Sequence, residues 1–268
     1  MTPIAVTVAG SDSGGGAGIQ ADLKTFAALG VYGATVITAL TAQNTRGVYA
    51  IHPVPPDFIA AQMDAVFSDL DVGAVKIGML AEPLAIEAVA RGLDKYRVAK
   101  LVLDPVMVAT SGDRLTSDDA IAALRFDLLP RAILVTPNLP EAASLLDAPL
   151  AETEAEMRAQ AEQILALGPR AVLIKGGHGR GAESVDLLVG TSGVARFAAP
   201  RVATRNTHGT GCTLSSAIAA GLAKGHDLAT AVSEAKAYVT ETIAAADRLS
   251  VGHGRGPLHH FHAWWREP

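Results

Sequence analysis

A single cysteine, Cys212, excludes an internal disulfide and fits a reducing compartment. No run of about 18 apolar residues appears, so no membrane span is expected. The apolar stretch from Ile4 to Ala9 is too short for a signal-peptide core and runs straight into a glycine loop, so the expected location is cytoplasmic. A formal net charge of -5 and a pI near 5.9 leave no basic footprint for nucleic acid or an anionic membrane. Any anion must therefore be bound by local geometry. Aromatic residues make up only 4% of the chain and charged residues 18%, against 49% hydrophobic residues. That balance suits helices packed on a buried parallel sheet better than an antiparallel sandwich.

The patterning follows that expectation. Apolar runs at Ile4 to Ala9, Ala34 to Leu40, Val75 to Ile77, Leu101 to Leu103, Ile133 to Val135 and Ala171 to Ile174 predict strands. Helical spacing lies between them. It runs from Ile19 to Leu29 before Gly30, from Pro56 to Leu70, from Glu82 to Leu93, and from a Ser117 cap to Leu129. Thr153 with Glu156 three residues on has the form of a capping box, opening a helix that ends at Gly168 and Pro169. Val185 to Val189 and Gly193 to Phe197 predict a small antiparallel hairpin at a sheet edge. Helices to about Lys224 and from Leu228 to Ala246 close the pattern. With no repeat and no low-complexity linker, residues 1–268 read as a single α/β domain: a doubly wound, mostly parallel central sheet with helices on both faces. In such sheets the ligand lies beyond the carboxyl ends of the strands, which selects the loops to read.

The strongest local signal is NTHGTGC, Asn206 to Cys212, running into a helical pattern. Gly209 and Gly211 around Thr210 let successive N–H groups converge on one point, and the helix start adds its own unpaired N–H groups there. Such a place suits an anion, and its field is expected to lower the thiol pKa of Cys212 on its rim. The plainer reading is a glycine-capped turn with a small buried cysteine.

The other strand-end loops carry weaker signals. Gly10 to Gly18 has glycine at five of nine positions. It fits a loose dinucleotide pattern, but no acidic residue ends the next strand and no Walker lysine follows, so close backbone approach to a small molecule is the better reading. Gln43 offers a donor and an acceptor on one amide, suited to an amino group beside a ring nitrogen. Met79 and Val106 supply apolar walls for such a ring. Asp104, ending a fully apolar run, is suited to a divalent cation or to a turn. Asn138 and Glu141 are spaced either to hold Mg2+ or to form a capping box. Lys175 before two glycines is placed for phosphate or simply for solvent. Together these describe phosphoryl transfer: oxygen ligands for metal, a cation for phosphate, and a helix-start anion hole.

Seven collinear blocks carry a resemblance from about Ile4 to Gly254: AGSD with GGAGIQADLK to Lys24, TAQNT from Thr41, KIGML from Lys76, DPVM from Asp104, TPNLPEA from Thr136, KGGH from Lys175 and HGTGC from His208. In these the chain resembles the ribokinase-like superfamily, and within it the hydroxymethylpyrimidine and phosphomethylpyrimidine kinases of thiamine biosynthesis. The resemblance implies ATP- and Mg2+-dependent phosphorylation of 4-amino-5-hydroxymethyl-2-methylpyrimidine, then of its monophosphate, in one pocket. It implies that Gly10 and Ala17 close over the ring that Gln43 reads. It assigns nucleotide contacts to Lys175, Thr207, Gly209, Thr210, Gly211 and Thr136, and metal to Asp104, Asn138 and Glu141. Lys175, Gly209, Gly211 and Cys212 become the catalytic set, with Cys212 standing where the superfamily usually has an aspartate base. Gly14 departs from the family, which has serine there. A homodimer is implied by resemblance alone. The competing readings are a pyridoxal or pyridoxine kinase of the same superfamily, a non-catalytic ligand-binding regulator and a dinucleotide oxidoreductase. The histidines from His253 to His262, with Trp264 and Trp265, have no carboxylate or cysteine partner in sequence and read as packing rather than a metal site.

Overall fold

The apolar runs do form the expected sheet, but it is wider than the pattern suggests. The structure, a computed structural model, describes residues 1–107, 116–178, 181–191 and 193–265. Nine strands line up as β3 (Gly47–Pro53), β2 (Tyr32–Asn44), β1 (Ile4–Asp12), β4 (Ala74–Ile77), β5 (Leu101–Leu103), β6 (Leu134–Val135), β7 (Ala171–Lys175), β8 (Glu183–Gly190) and β9 (Gly193–Pro200). The strands from β2 to β7 pair in parallel, while β3, β8 and β9 are antiparallel to their neighbours. The β8–β9 hairpin is the one expected from sequence; Ser192 in its turn lies outside the described residues. The strand β3, at the opposite edge, was not expected.

Consecutive strand residues point to opposite faces, so two cores form. Val6, Val8, Val75, Ile77, Leu101 and Leu103 pack on one side with α2 (Pro56–Phe67), α3 (Pro83–Lys95), α4 (Asp118–Ala123), α5 (Leu139–Leu146) and α6 (Glu154–Leu165). Ala5, Ala74, Val102, Leu134 and Leu173 pack on the other with α1 (Gly18–Ala28), α7 (Thr210–Ala223) and α8 (Leu228–Ala244). The segment after the Ser117 cap is not one α-helix to Leu129: its regular part stops at Ala123 and continues as a wider π turn from Leu124 to Leu128. The helix α7 is buried nearly all round, and Gly221 lets Ala231 of α8 approach it closely. No described helix is long and apolar enough to cross a membrane.

Two features of the topology position the site. The chain winds from β1 out to β2 and then returns past β1 to β4, so the sheet's switch point lies between β1 and β4, at Gly10 and Gly78. Beyond the parallel strands, the C-terminal tail is tied to α7. His260 Nε2 lies 3.0 Å from Thr213 Oγ1, whose hydroxyl donates to the Gly209 carbonyl at 2.9 Å. His259 meets the Trp265 ring edge-on with centroids 5.2 Å apart, so the tail histidines make packing contacts.

Burial pushes the His260 pKa down from 6.5 to about 4, helped by Lys24. An imidazole kept neutral in the fold but free to protonate when unfolded stabilises fully above pH 6.5 and loses that contribution as pH falls toward 4. His260→Gln is therefore expected to flatten the loss of stability between pH 6.5 and 4 by up to roughly 2–3 kcal/mol, read by urea unfolding across that range.

Candidate active site

The carboxyl ends of the strands open on a cavity of about 680 Å3. Sheet order sets the order of residues along it. From β2 and β1 come Gln43, Gly10 and Ala17; after β4 and β5 come Met79, Asp104 and Val106; after β6 and β7 come Asn138, Glu141 and Lys175. Thr207, Gly209, Thr210, Gly211 and Cys212 line the same cavity. Fourteen of the fifteen residues singled out in the sequence thus share one lining.

Thr136 is the exception and corrects the expectation of a nucleotide contact. It is wholly buried, and its hydroxyl donates to Asp104 Oδ1 at 3.0 Å. Its place is behind Asp104, fixing the carboxylate that faces the cavity.

That carboxylate is the centre of a charge cluster. Lys175 Nζ donates to Asp104 Oδ1 at 2.8 Å and lies 3.7 Å from Glu141 Oε2, while Ser215 Oγ is 3.2 Å from Asp104 Oδ2. Burial by itself would raise the Asp104 pKa, but Lys175 and Lys76 outweigh it and hold the carboxyl below its usual value. Glu141 goes the other way: burial, with Asp104 adding to it, pushes it up to about 7 despite Lys175. One ammonium thus serves two buried carboxylates.

Asn138 and Glu141 form the capping box. Asn138 Oδ1 accepts from Glu141 N at 2.9 Å, and Glu141 Oε2 accepts from Asn138 N at 2.7 Å, opening α5. The cap spends one oxygen of each while both side chains still line the cavity. Among the described residues no three His, Cys, Asp or Glu side chains gather closely enough to hold a metal by themselves.

The NTHGTGC turn has the geometry that its glycines require. Gly209 caps α7 at φ +84°, and a β-carbon there would collide with the Gly16 carbonyl oxygen. A β-carbon on Gly211 would stand only 3.3 Å from Lys175 Nζ, so the ammonium lies close beside the start of α7.

Cys212 departs from expectation. Burial pushes its thiol up to about 11, although Lys76 and the Gly18 N–H pull it down, so the thiol is neutral at physiological pH. The helix-start field expected to activate it is outweighed by desolvation.

Several site residues were not singled out from sequence. Asp12 folds the glycine loop around itself: its oxygens accept from Gly14 N (2.8 Å), Gly16 N (3.0 Å) and Ala17 N (2.9 Å), and His208 Nε2 lies 2.9 Å from Oδ2. An aspartate among glycines is a recognisable loop-nucleating signal, although its histidine partner is not. Beneath the cavity Lys76 donates to both Asp22 oxygens, at 2.9 and 2.8 Å, and both residues are fully buried. At the far end Lys236 Nζ donates to Asp186 Oδ2 at 2.8 Å, beside Val202, Val239 and Ile243. Gly14 sits where the family's serine would bring a β-carbon 3.1 Å from Asn44 Cα.

A family model described as phosphomethylpyrimidine kinase matches residues 12–259. The chain belongs to the phosphomethylpyrimidine kinase family. The hydroxymethylpyrimidine/phosphomethylpyrimidine kinase of Rhizobium meliloti (strain 1021) is 61% identical over 267 residues, covering 100% of both chains. A solved phosphomethylpyrimidine kinase from Clostridium difficile 630 is 45% identical with a TM-score of 0.80, covering 90% of this chain and 99% of that one. The pyridoxal kinase from Staphylococcus aureus in complex with AMP-PCP and pyridoxal is 30% identical with a TM-score of 0.90, covering 98% of this chain and 95% of that one. The architecture is thus the ribokinase-like one, and the chain is a phosphotransferase.

Proposed function

We propose that this kinase transfers the γ-phosphoryl group of ATP to the hydroxymethyl group of 4-amino-5-hydroxymethyl-2-methylpyrimidine, then to the resulting monophosphate, in thiamine biosynthesis. The observation that carries the reading is the close approach of Lys175, held by Asp104, to the α7 start on a cavity that continues to Gln43. An anion hole, a cation and a heterocycle reader lie along one cleft. The apolar group of Val202, Val239 and Ile243 at the other end offers walls for the nucleoside.

Gln43 reads the amino group and adjacent ring nitrogen, and Met79 and Val106 pack on the ring. The Gly209 to Gly211 turn and Lys175 stabilise charge on the transferring phosphoryl group, with Thr207 and Thr210 at its rim. The donor set fits Mg2+: Asp104 and Glu141 are hard oxygen donors, and a cation there would favour the ionised form of Glu141 that burial opposes. Because protein side chains alone are too few, the ion would be shared with nucleotide phosphates, as is usual for Mg2+. Bound there, it neutralises charge on the phosphates.

A loose transition state requires little early deprotonation of the alcohol, so a neutral thiol is compatible with turnover. Cys212 Sγ keeps its proton and orients the acceptor hydroxyl, which passes its own proton late to an oxygen of the transferred phosphoryl group. Neutrality matters more for the second step, when the acceptor already carries a phosphate. Cys212→Asp is therefore expected to reduce kcat/KM for the monophosphate at least about tenfold more than for the alcohol, because a carboxylate at that distance repels the dianion. An equal loss on both acceptors would remove the argument from charge. A cytoplasmic location and a homodimer complete the proposal, the latter tested by sedimentation.

A pyrimidine-dependent ADP-release assay, run in parallel with pyridoxal, tests the substrate. Faster turnover of pyridoxal would move the chain to the other branch.

A further inference from the structure

The Gln43 carboxamide lies between two neighbours, one end 3.1 Å from Thr41 Oγ1 and the other 3.4 Å from His208 Nε2. Its two ends are equal in shape, so which is oxygen follows from the surrounding protons. His208 Nε2 lies 2.9 Å from Asp12 Oδ2. Asp12 accepts three backbone N–H groups and is ionised, its pKa held down by His208 against the raising effect of burial. A carboxylate can only accept, so His208 Nε2 carries a proton in either charge state of the ring and has no lone pair for Gln43. Gln43 must turn its carbonyl toward His208.

The other end agrees independently. Thr41 Oγ1 lies 2.9 Å from the Ser11 carbonyl, which can only accept, so the single hydroxyl proton belongs there. Thr41 is left as an acceptor, and the Gln43 end beside it must be the NH2. An amide with Oε1 toward Thr41 and Nε2 toward His208 is therefore excluded; both proton counts require the reverse.

We propose that His208 is a positioning residue that sets substrate specificity: pinned to Asp12, it fixes Gln43 with the carbonyl on the His208 side and the NH2 on the Thr41 side. This rests on the aminopyrimidine reading above. The fixed amide accepts a ring edge only when its amino group faces the carbonyl and its unprotonated nitrogen faces the NH2. In the substrate the ring nitrogen, the amino-bearing carbon and the hydroxymethyl-bearing carbon follow one another around the ring. An amino group on the His208 side therefore carries the hydroxymethyl group toward the turn that His208 begins, where phosphoryl transfer would take place. The opposite amide orientation would send it away.

The test compares kcat/KM for 4-amino-5-hydroxymethyl-2-methylpyrimidine with that for its 4-oxo counterpart, whose ring N–H and carbonyl present the opposite pattern. The wild type is expected to favour the amino compound at least about 100-fold, as expected when both hydrogen bonds of a bidentate pair are reversed. His208→Leu frees the amide to turn and should lower that ratio at least about tenfold. His208→Gln, which keeps a donor toward Asp12, should retain most of it. Thr41→Val releases the same amide from its other end and should also erode the ratio, so the idea does not depend on one variant folding. If both His208→Leu and Thr41→Val slow the two substrates equally and leave the ratio intact, the positioning role is wrong although the aminopyrimidine reading survives. If the wild type phosphorylates neither pyrimidine, that reading falls and the selector role falls with it.

Discussion

Lys175→Met is expected to lower kcat by about 10²–10³-fold and to destabilise the fold by roughly 3 kcal/mol. The catalytic loss follows from removing the cation beside the α7 start, where a β-carbon on Gly211 would stand 3.3 Å from Lys175 Nζ. The stability loss has a separate cause. Lys175 is the shared partner of Asp104 and Glu141, both almost completely buried, and without it these two carboxylates lose the ammonium that compensates their charge. The Lys175 pKa is itself raised: burial works against the charge, but Asp104 and Glu141 more than restore it. Steady-state kinetics and urea unfolding separate the two effects. Adding Asp104→Asn to Lys175→Met should recover part of the stability by removing one unpaired charge, with no recovery of kcat. A double variant as unstable as the single one would show that the cluster is not held together by charge.

Gly209→Ala is expected to reduce kcat/KM by a similar 10²–10³-fold, by displacing N–H donors rather than deleting a charge. At φ +84° an alanine is strained, and its methyl group would strike the Gly16 carbonyl. The turn therefore moves against the glycine loop that it packs on, and the start of α7 loses its aim. Gly225→Ala is the matched control. Gly225 also has a positive φ, +92°, but nothing lies within 4 Å of an added β-carbon. It should cost about 1–2 kcal/mol of stability and leave kcat/KM unchanged. If the two variants lose activity alike, the anion-hole geometry is not what Gly209 protects.

The parts of the molecule legible in the sequence are those with a short-range cause. Leu101 to Leu103 is apolar because both faces of β5 are covered, and that run alone marks it as a buried strand. Thr153 with Glu156, and Asn138 with Glu141, lie three residues apart and make the caps that this spacing predicts. The strand β3 escaped notice because GVYAIHP has no buried residue and lacks a clean alternation, its pairing being dictated by β2. The strands β1 and β2 continue into GSD and TAQN, polar stretches that read as loops; Ser11 and Asp12 are drawn into the ladder by Leu40 and Thr41, and Ala42 to Asn44 by β3.

Within the site the same division holds. Lys175, Asp104 and the glycine turn each end a strand or start a helix, so their placement follows from the sheet. Asp12 with His208, and Asp22 with Lys76, are pairs made by the fold between distant residues, and no spacing announces them. Thr136 and Cys212 show the limit most plainly. Burial decides the outcome at both: a threonine turns inward onto Asp104, and a thiol is pushed up instead of down.

The most direct test of the central claim is mass analysis of the products formed from ATP, Mg2+ and 4-amino-5-hydroxymethyl-2-methylpyrimidine. The account predicts the monophosphate first and then the diphosphate, with ADP released only when the pyrimidine is present. ADP release without pyrimidine, or a product that stops at the monophosphate even when that compound is supplied as the substrate, would contradict it.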